Sequence, residues 1–167
     1  MPVPEVSMSE VSEVLASSEE EVRWVPPLAD APERELVEWA NALPMTGGLN
    51  IVCRSLSLAE GVFTVPFGPL VANPNGAVHG GIVSAIADQC LGVVSVVNAP
   101  RDRLSVTASL HGQFHRPAIP ELTIRARLIS AGRTLIFVEC VVEDARGRRC
   151  ATFEATMAVG GAERREA

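Results

Sequence analysis

The chain reads as an α+β protein in which a curved antiparallel sheet wraps around one long central helix. Three observations lead there. The elements run in the order short helix, two strands, long apolar segment, four strands. The flanking segments repeat apolar residues with a period of two and are separated by short breaker clusters, the pattern of antiparallel strands. The long segment, about residues 79–97, carries Asp88 as its only carboxylate and is apolar on nearly all sides. A helix of that kind is expected to be buried all round, and a strongly curved sheet can surround it.

The elements follow in order. Residues 1–32 form a weak, acidic extension in which Val11, Val14, Leu15, Ser18 and Val22 recur at helical spacing. Prolines 26, 27 and 32 stop that helix. The extension is expected to be flexible or loosely docked. The domain proper is read as 33–160, with 161–167 a tail.

Asp30 is the expected N-cap of a helix over about 33–42, with Leu36, Trp39, Ala40 and Leu43 on one face. Pro44 is expected to end it, and Gly47-Gly48 to turn the chain. Residues 50–58 and 61–66 read as strands joined at Glu60-Gly61. Residues 67–78 are loop, broken by Gly68, Pro69, Pro74 and Gly76. After the long helix, which Asn98-Ala99-Pro100 terminates, come strands over about 104–115, 120–131, 134–144 and 149–159. Their short gaps predict consecutive hairpins. Such a sheet leaves an apolar face open, and back-to-back self-association is expected to cover it.

Composition narrows the function classes. At 167 residues the chain is expected to be one domain, since single cores commonly span about 100–200 residues. Residues 1–40 hold ten acids against two arginines, and the rest ten acids against twelve. The folded part is thus mildly basic behind an acidic head. No basic run interleaved with aromatics points to nucleic acid. The four cysteines form no CxxC pair and no metal-ligand spacing with the three histidines, so no metal site is expected. Cys90 and Cys140 sit in apolar runs and read as buried thiols. No basic and hydrophobic leader is evident, which makes the cytoplasm the expected compartment. Gly80 to Val97 approaches membrane-spanning length. A central aspartate in a span costs about 2.5–3.5 kcal/mol, and no second span exists, so no membrane partner is expected.

The chemistry concentrates in "NPNGAVHGGIVSAIADQC", residues 73–90. His79-Gly80-Gly81 stands at a helix start, where backbone N–H groups lack intrahelical acceptors and the dipole is positive. Glycine there either admits a ligand oxygen to the backbone or lets the helix cross a strand closely. Asp88 lies about two turns on. A buried carboxylate must be paired or neutralised, so it is either structural or functional. Asn73 could equally be a turn-forming residue before Pro74.

Asn73, Gly76, His79-Gly80-Gly81 and Asp88, in that order and at those intervals, resemble the signature of hotdog-fold acyl-CoA thioesterases of the phenylacetate-pathway (PaaI-like) type. "SVTASLHGQFHRPA" (105–118) and "GRTLIFVECVVEDARGRRCATFEATM" (132–157) resemble that family's strand after the helix and its last hairpin. The resemblance spans about residues 33–160 and implies roles for particular residues. The Gly80 N–H would polarise the thioester carbonyl. Asn73 would hold the loop, the carbonyl or a water. His79 would orient the loop. Asp88 would act as nucleophile or as general base. Thr107 would help place the water. Gly81 and Gln89 would line the substrate, and Arg116 and Arg133 are candidates for the phosphates of coenzyme A. In such dimers Asp88 and the Gly80–Asn73 pair facing one thioester come from different subunits.

The expected activity is hydrolysis of an acyl-CoA or aryl-CoA thioester by a homodimer or homotetramer. No cofactor is expected beyond the coenzyme A of the substrate. A GxSxG elbow, a P-loop and a GxGxxG are all absent from the sequence, which disfavours serine-hydrolase and nucleotide-binding readings. Two alternatives are a non-catalytic module that binds acyl-CoA or a protein partner, and a hydratase, which would rely on a histidine base.

Overall fold

A computed structural model describes residues 25–27, 30–66, 76–101 and 103–163. The helical pattern over 11–22, Asn73 and the last four residues lie outside them. Helix α1 (Glu33–Ala42) buries Leu36, Trp39 and Ala40, the face that the periodicity marked. Its cap differs from expectation. Pro32 occupies the N-cap position without a side-chain hydrogen bond, and its carbonyl accepts the Glu35 N–H at 2.9 Å. Asp30 stands two residues too early to reach the first turn.

Pro44 does not simply end this region. It opens a second short helix, α2 (Pro44–Gly48). A proline at the first helical position gives up only an N–H that has no intrahelical acceptor anyway. The two glycines expected to form a turn are therefore in that helix. Strands β1 (Val52–Leu56) and β2 (Glu60–Val65) form a hairpin. Asn41 at the end of α1 ties down β1: its side chain accepts from the Cys53 N–H at 2.8 Å and donates to the Cys53 carbonyl at 3.1 Å.

Helix α3 (Gly80–Asn98) and strands β3 (Arg103–Phe114), β4 (Leu122–Ala131), β5 (Leu135–Glu143) and β6 (Arg149–Glu163) complete the fold. β6 runs three residues into the segment read as a tail. All six strands join one antiparallel sheet in the order β1-β2-β4-β5-β6-β3. The helix packs on its inner face against β2 through β6. This is the hotdog architecture.

Two expectations need correction. First, β3 and β4 are not a hairpin. β3 lies beyond β6 at the far edge, and β4 lies beside β2. Residues 115–121 cross the end of the sheet instead. His115 N–H donates to the Cys150 carbonyl at 2.8 Å and Ala145 N–H to the Ile119 carbonyl at 3.4 Å, so the crossing touches β6 and then the β5–β6 turn. Three strand spacings amount to about 14 Å, and seven residues reach about 23 Å extended. A short gap thus permits this crossing as readily as a hairpin.

Second, α3 is not buried all round. Val83, Ile86, Cys90, Val94 and Val97 are buried on the sheet side. Gly81 and Ala85 are exposed, and Ile82, Asp88, Gln89, Gly92 and Val96 are partly exposed. These positions form one open stripe, because residues three and four apart share a helix face. The helix is long and apolar enough to cross a membrane by length and composition. Here its buried side supplies the core, where each fully buried Val, Leu or Ile contributes about 1.5–3 kcal/mol.

Candidate active site

The start of α3 is built by His79. This residue is the N-cap, and its Nδ1 accepts the Gly81 N–H at 3.0 Å. The His79 carbonyl takes the Ile82 and Val83 N–H groups at 2.9 and 3.0 Å. The ring is therefore spent on holding the first turn. Gly81 supplies a capped N–H, and its Cα faces solvent. The Gly80 N–H has no acceptor among the described residues and stands at the positive end of the helix. The loop before it is pinned to the β3–β4 crossing, where Val78 N–H donates to the Ala118 carbonyl at 2.9 Å.

Asp88 sits on the open stripe of α3, partly exposed rather than fully buried. That answers the energetic difficulty of a carboxylate in an apolar helix. Thr107 of β3 donates from its Oγ1 to Asp88 Oδ1 at 2.9 Å. Thr107 can do so because of a β-bulge. The register of β3 against β6 slips between Thr107 and Ser109. Before the slip, Ser105 and Thr107 point at the helix; after it, Leu110, Gly112 and Phe114 do. An extra residue in one strand re-aims the side chains on either side of it. Ser105 uses the same inward orientation to meet the buried Ser95 of α3, with oxygens 2.5 Å apart.

Gly80 and Asp88 do not converge within one chain. Eight residues of helix separate them by about 12 Å along the axis. Gln89 is turned toward α2, where its Nε2 donates to the buried Thr46 Oγ1 at 3.1 Å. It ties that short helix to α3. The two candidate phosphate-binding arginines are also far apart. Arg116 lies on the crossing and donates to the Arg149 carbonyl at 3.1 Å. Arg133 lies exposed in the β4–β5 turn, at the opposite end of the sheet, a separation of roughly 25 Å along β3. One chain cannot bring both to one phosphate group.

The sequence reading missed Phe114. Its ring lies beside Gly80, within 3.4 Å of where a Gly80 Cβ would stand. With Ala77, Val78, Val83 and the crossing it walls a cavity of about 330 Å³ that Gly80 also lines. Nothing local in the sequence marks this contact, since 34 positions and a strand crossing separate the two residues.

The cysteines are free and buried. Burial pushes the Cys53 and Cys140 thiols up to about 12, and holds Cys90 well above the usual thiol range. None is suited to act as a thiolate nucleophile. Among the described residues, no group of three or more His, Cys, Asp or Glu is placed to hold a metal ion.

The sequence profile of the thioesterase superfamily matches residues 75–151, from just before the His79 turn to the start of β6. Solved structures agree in fold. A thioesterase family protein from Silicibacter pomeroyi superposes with a TM-score of 0.69 at 23% identity, over 77% of this chain and 98% of its own. The PaaI protein of the Escherichia coli phenylacetic acid degradation operon gives 0.68 at 17% identity, over 80% and 99%. A phenylacetic acid degradation-related protein from Ralstonia eutropha gives 0.65 at 28% identity, over 70% and 90%. No curated protein sequence matches significantly. The fold is that of the hotdog proteins, and the segment from the helix start to β6 is similar to the thioesterase superfamily.

Proposed function

We propose that this protein is a cytoplasmic acyl-CoA thioesterase that works as a homodimer or higher homo-oligomer and needs no cofactor. The observation that carries the reading is Asp88, presented on the open face of α3 and held there by Thr107. The Gly80 N–H stands about 12 Å away along the same helix. A second copy laid along that open face would set the Asp88 of the partner subunit beside Gly80.

The chemistry then needs few groups. The thioester oxygen accepts from the Gly80 N–H, which stabilises negative charge as the carbonyl carbon becomes tetrahedral. Asp88 of the partner subunit either takes a proton from the attacking water or attacks the carbon itself, forming an anhydride that water cleaves. The C–S bond breaks and coenzyme A leaves as a thiolate. Free acid and coenzyme A are the products. Thr107 keeps the carboxylate oriented, and Arg133, or the guanidinium donors of Arg116 not spent on the Arg149 carbonyl, would meet the coenzyme A phosphates.

The test is thiol release from a panel of acyl-CoA and aryl-CoA thioesters. Wild type should release thiol, and Asp88→Ala should lose about 10²–10⁴ of kcat, the range for a positioned acid or base. Full turnover by Asp88→Ala would remove the carboxylate from the mechanism. A wild type that binds these esters without consuming them would instead be a non-catalytic binding module.

A further inference from the structure

We infer that Phe114 is a specificity-determining residue, an aromatic wall that limits the bulk of the acyl group next to the thioester carbonyl. The inference rests on the reading of Gly80 as the carbonyl donor and extends it to substrate choice.

The ring is fixed by a relay that begins at Gly112. A side chain there would meet the Phe153 ring at 2.3 Å, so only glycine leaves Phe153 room to lie across the strand. Phe153 is buried and props Phe114 edge-on, with ring centroids 5.6 Å apart and an interplanar angle of 89°. This is a favoured aromatic geometry. Phe114 in turn rests against Gly80, yet 52% of it stays exposed. A large aromatic held on two sides and open on a third is unusual unless the open side meets something.

That side faces the cavity of about 330 Å³ that the Gly80 backbone shares. This is near the lower end of small-molecule sites, about 300–1,000 Å³. The walls are apolar, chiefly Val78, Val83, Pro117 and Ala118. The two polar lining side chains are already engaged, His115 with Thr152 at 2.9 Å and Arg116 with the Arg149 carbonyl. The amides of a pantetheine arm would find few partners here. A hydrocarbon group suits the lining. An acyl chain whose carbonyl oxygen reaches the Gly80 N–H must then pass across the Phe114 ring.

The experiment compares wild type, Phe114→Ala and Phe114→Leu on straight-chain and α-branched acyl-CoA thioesters of increasing size. Both kcat/KM for hydrolysis and affinity for the esters are measured. In Phe114→Ala the ratio of kcat/KM for the bulkiest ester to that for acetyl-CoA should rise at least about tenfold, as for a pocket gaining several methylenes of room. Phe114→Leu, which keeps an apolar side chain against Gly80 and Phe153, should lie between. Unchanged ratios in both folded variants overturn the inference while leaving the thioesterase reading intact. If wild type hydrolyses none of the esters but binds them, the thioesterase reading fails, and the affinity profile decides the role of Phe114 by the same ratio. Absence of both hydrolysis and binding overturns both.

Discussion

Thr107 Oγ1 donates to Asp88 Oδ1 at 2.9 Å, joining the edge strand β3 to the open face of the central helix. The donor is available only because the adjacent bulge turns Thr107 inward. A hydrogen bond to a charged acceptor contributes about 1.5–3 kcal/mol, and one decade of rate corresponds to about 1.4 kcal/mol. Thr107→Val should therefore lower kcat by about tenfold or more with little change in fold. Thr107→Ser, which retains the hydroxyl, should restore most of it. Steady-state kinetics with circular dichroism as a fold check decides this.

Division of the site between subunits has its own signature. Gly80→Val presses a larger side chain toward Phe114, and Asp88→Ala removes the carboxylate. Each homo-oligomer should be nearly inactive. In a mixed dimer one of the two sites receives an intact Gly80 from one chain and an intact Asp88 from the other. Unfolding and refolding an equal mixture should recover about a quarter of wild-type activity if the copies pair at random. No recovery, with mixed dimers present, would place both groups in one chain.

Gly112 is needed for the room it leaves. A methyl at that position would stand 2.3 Å from the Phe153 ring, and that ring is buried and cannot swing clear. Gly112→Ala should destabilise the protein by about 1–3 kcal/mol, the usual range for overpacking. Urea unfolding measures it.

Asp144 predicts the acid limb of stability. This carboxylate is 3% exposed at the β5–β6 turn, where Arg148 bonds it through Nε and Nη2 and the Arg146 and Arg148 N–H groups cap it. The Arg148 side chain, with those N–H groups, lowers it from 3.8 to about 2. The folded value lies below the unfolded one, so the unfolded chain takes up the proton first as pH falls. The stabilisation is present above the unfolded value and is lost as pH drops through the interval to the folded one. Asp144→Asn should be less stable than wild type at neutral pH and should lose less stability between pH 4 and pH 2. Unfolding midpoints across that interval test it.

Thiol chemistry should report the core directly. All four cysteines are free and buried, and burial raises each thiol above its ordinary range. A disulfide reagent at neutral pH should label none of them in the native protein and all four after denaturation. Rapid native labelling would mean that the sheet opens around the helix.

The features legible in the chain are local. The face of α1 with Leu36, Trp39 and Ala40, the span of the central helix and the existence of six strands follow from hydrophobic period and breakers, which depend on near neighbours. The His79-Gly80-Gly81 turn and Asp88 were legible for the same reason, as one continuous stretch whose intervals resemble a family pattern. The cap of α1 and the helical start at Pro44 were misread because either reading satisfies the same few residues. The tertiary structure decided the rest. The placing of β3 beside β6, the bulge that aims Thr107 at Asp88, and the contact of Phe114 with Gly80 all join residues far apart in the chain. A one-residue slip in register exchanges the two faces of a strand, and no local pattern in β3 records on which side of Ala108 that exchange falls. Packing against β6 and the helix settles it.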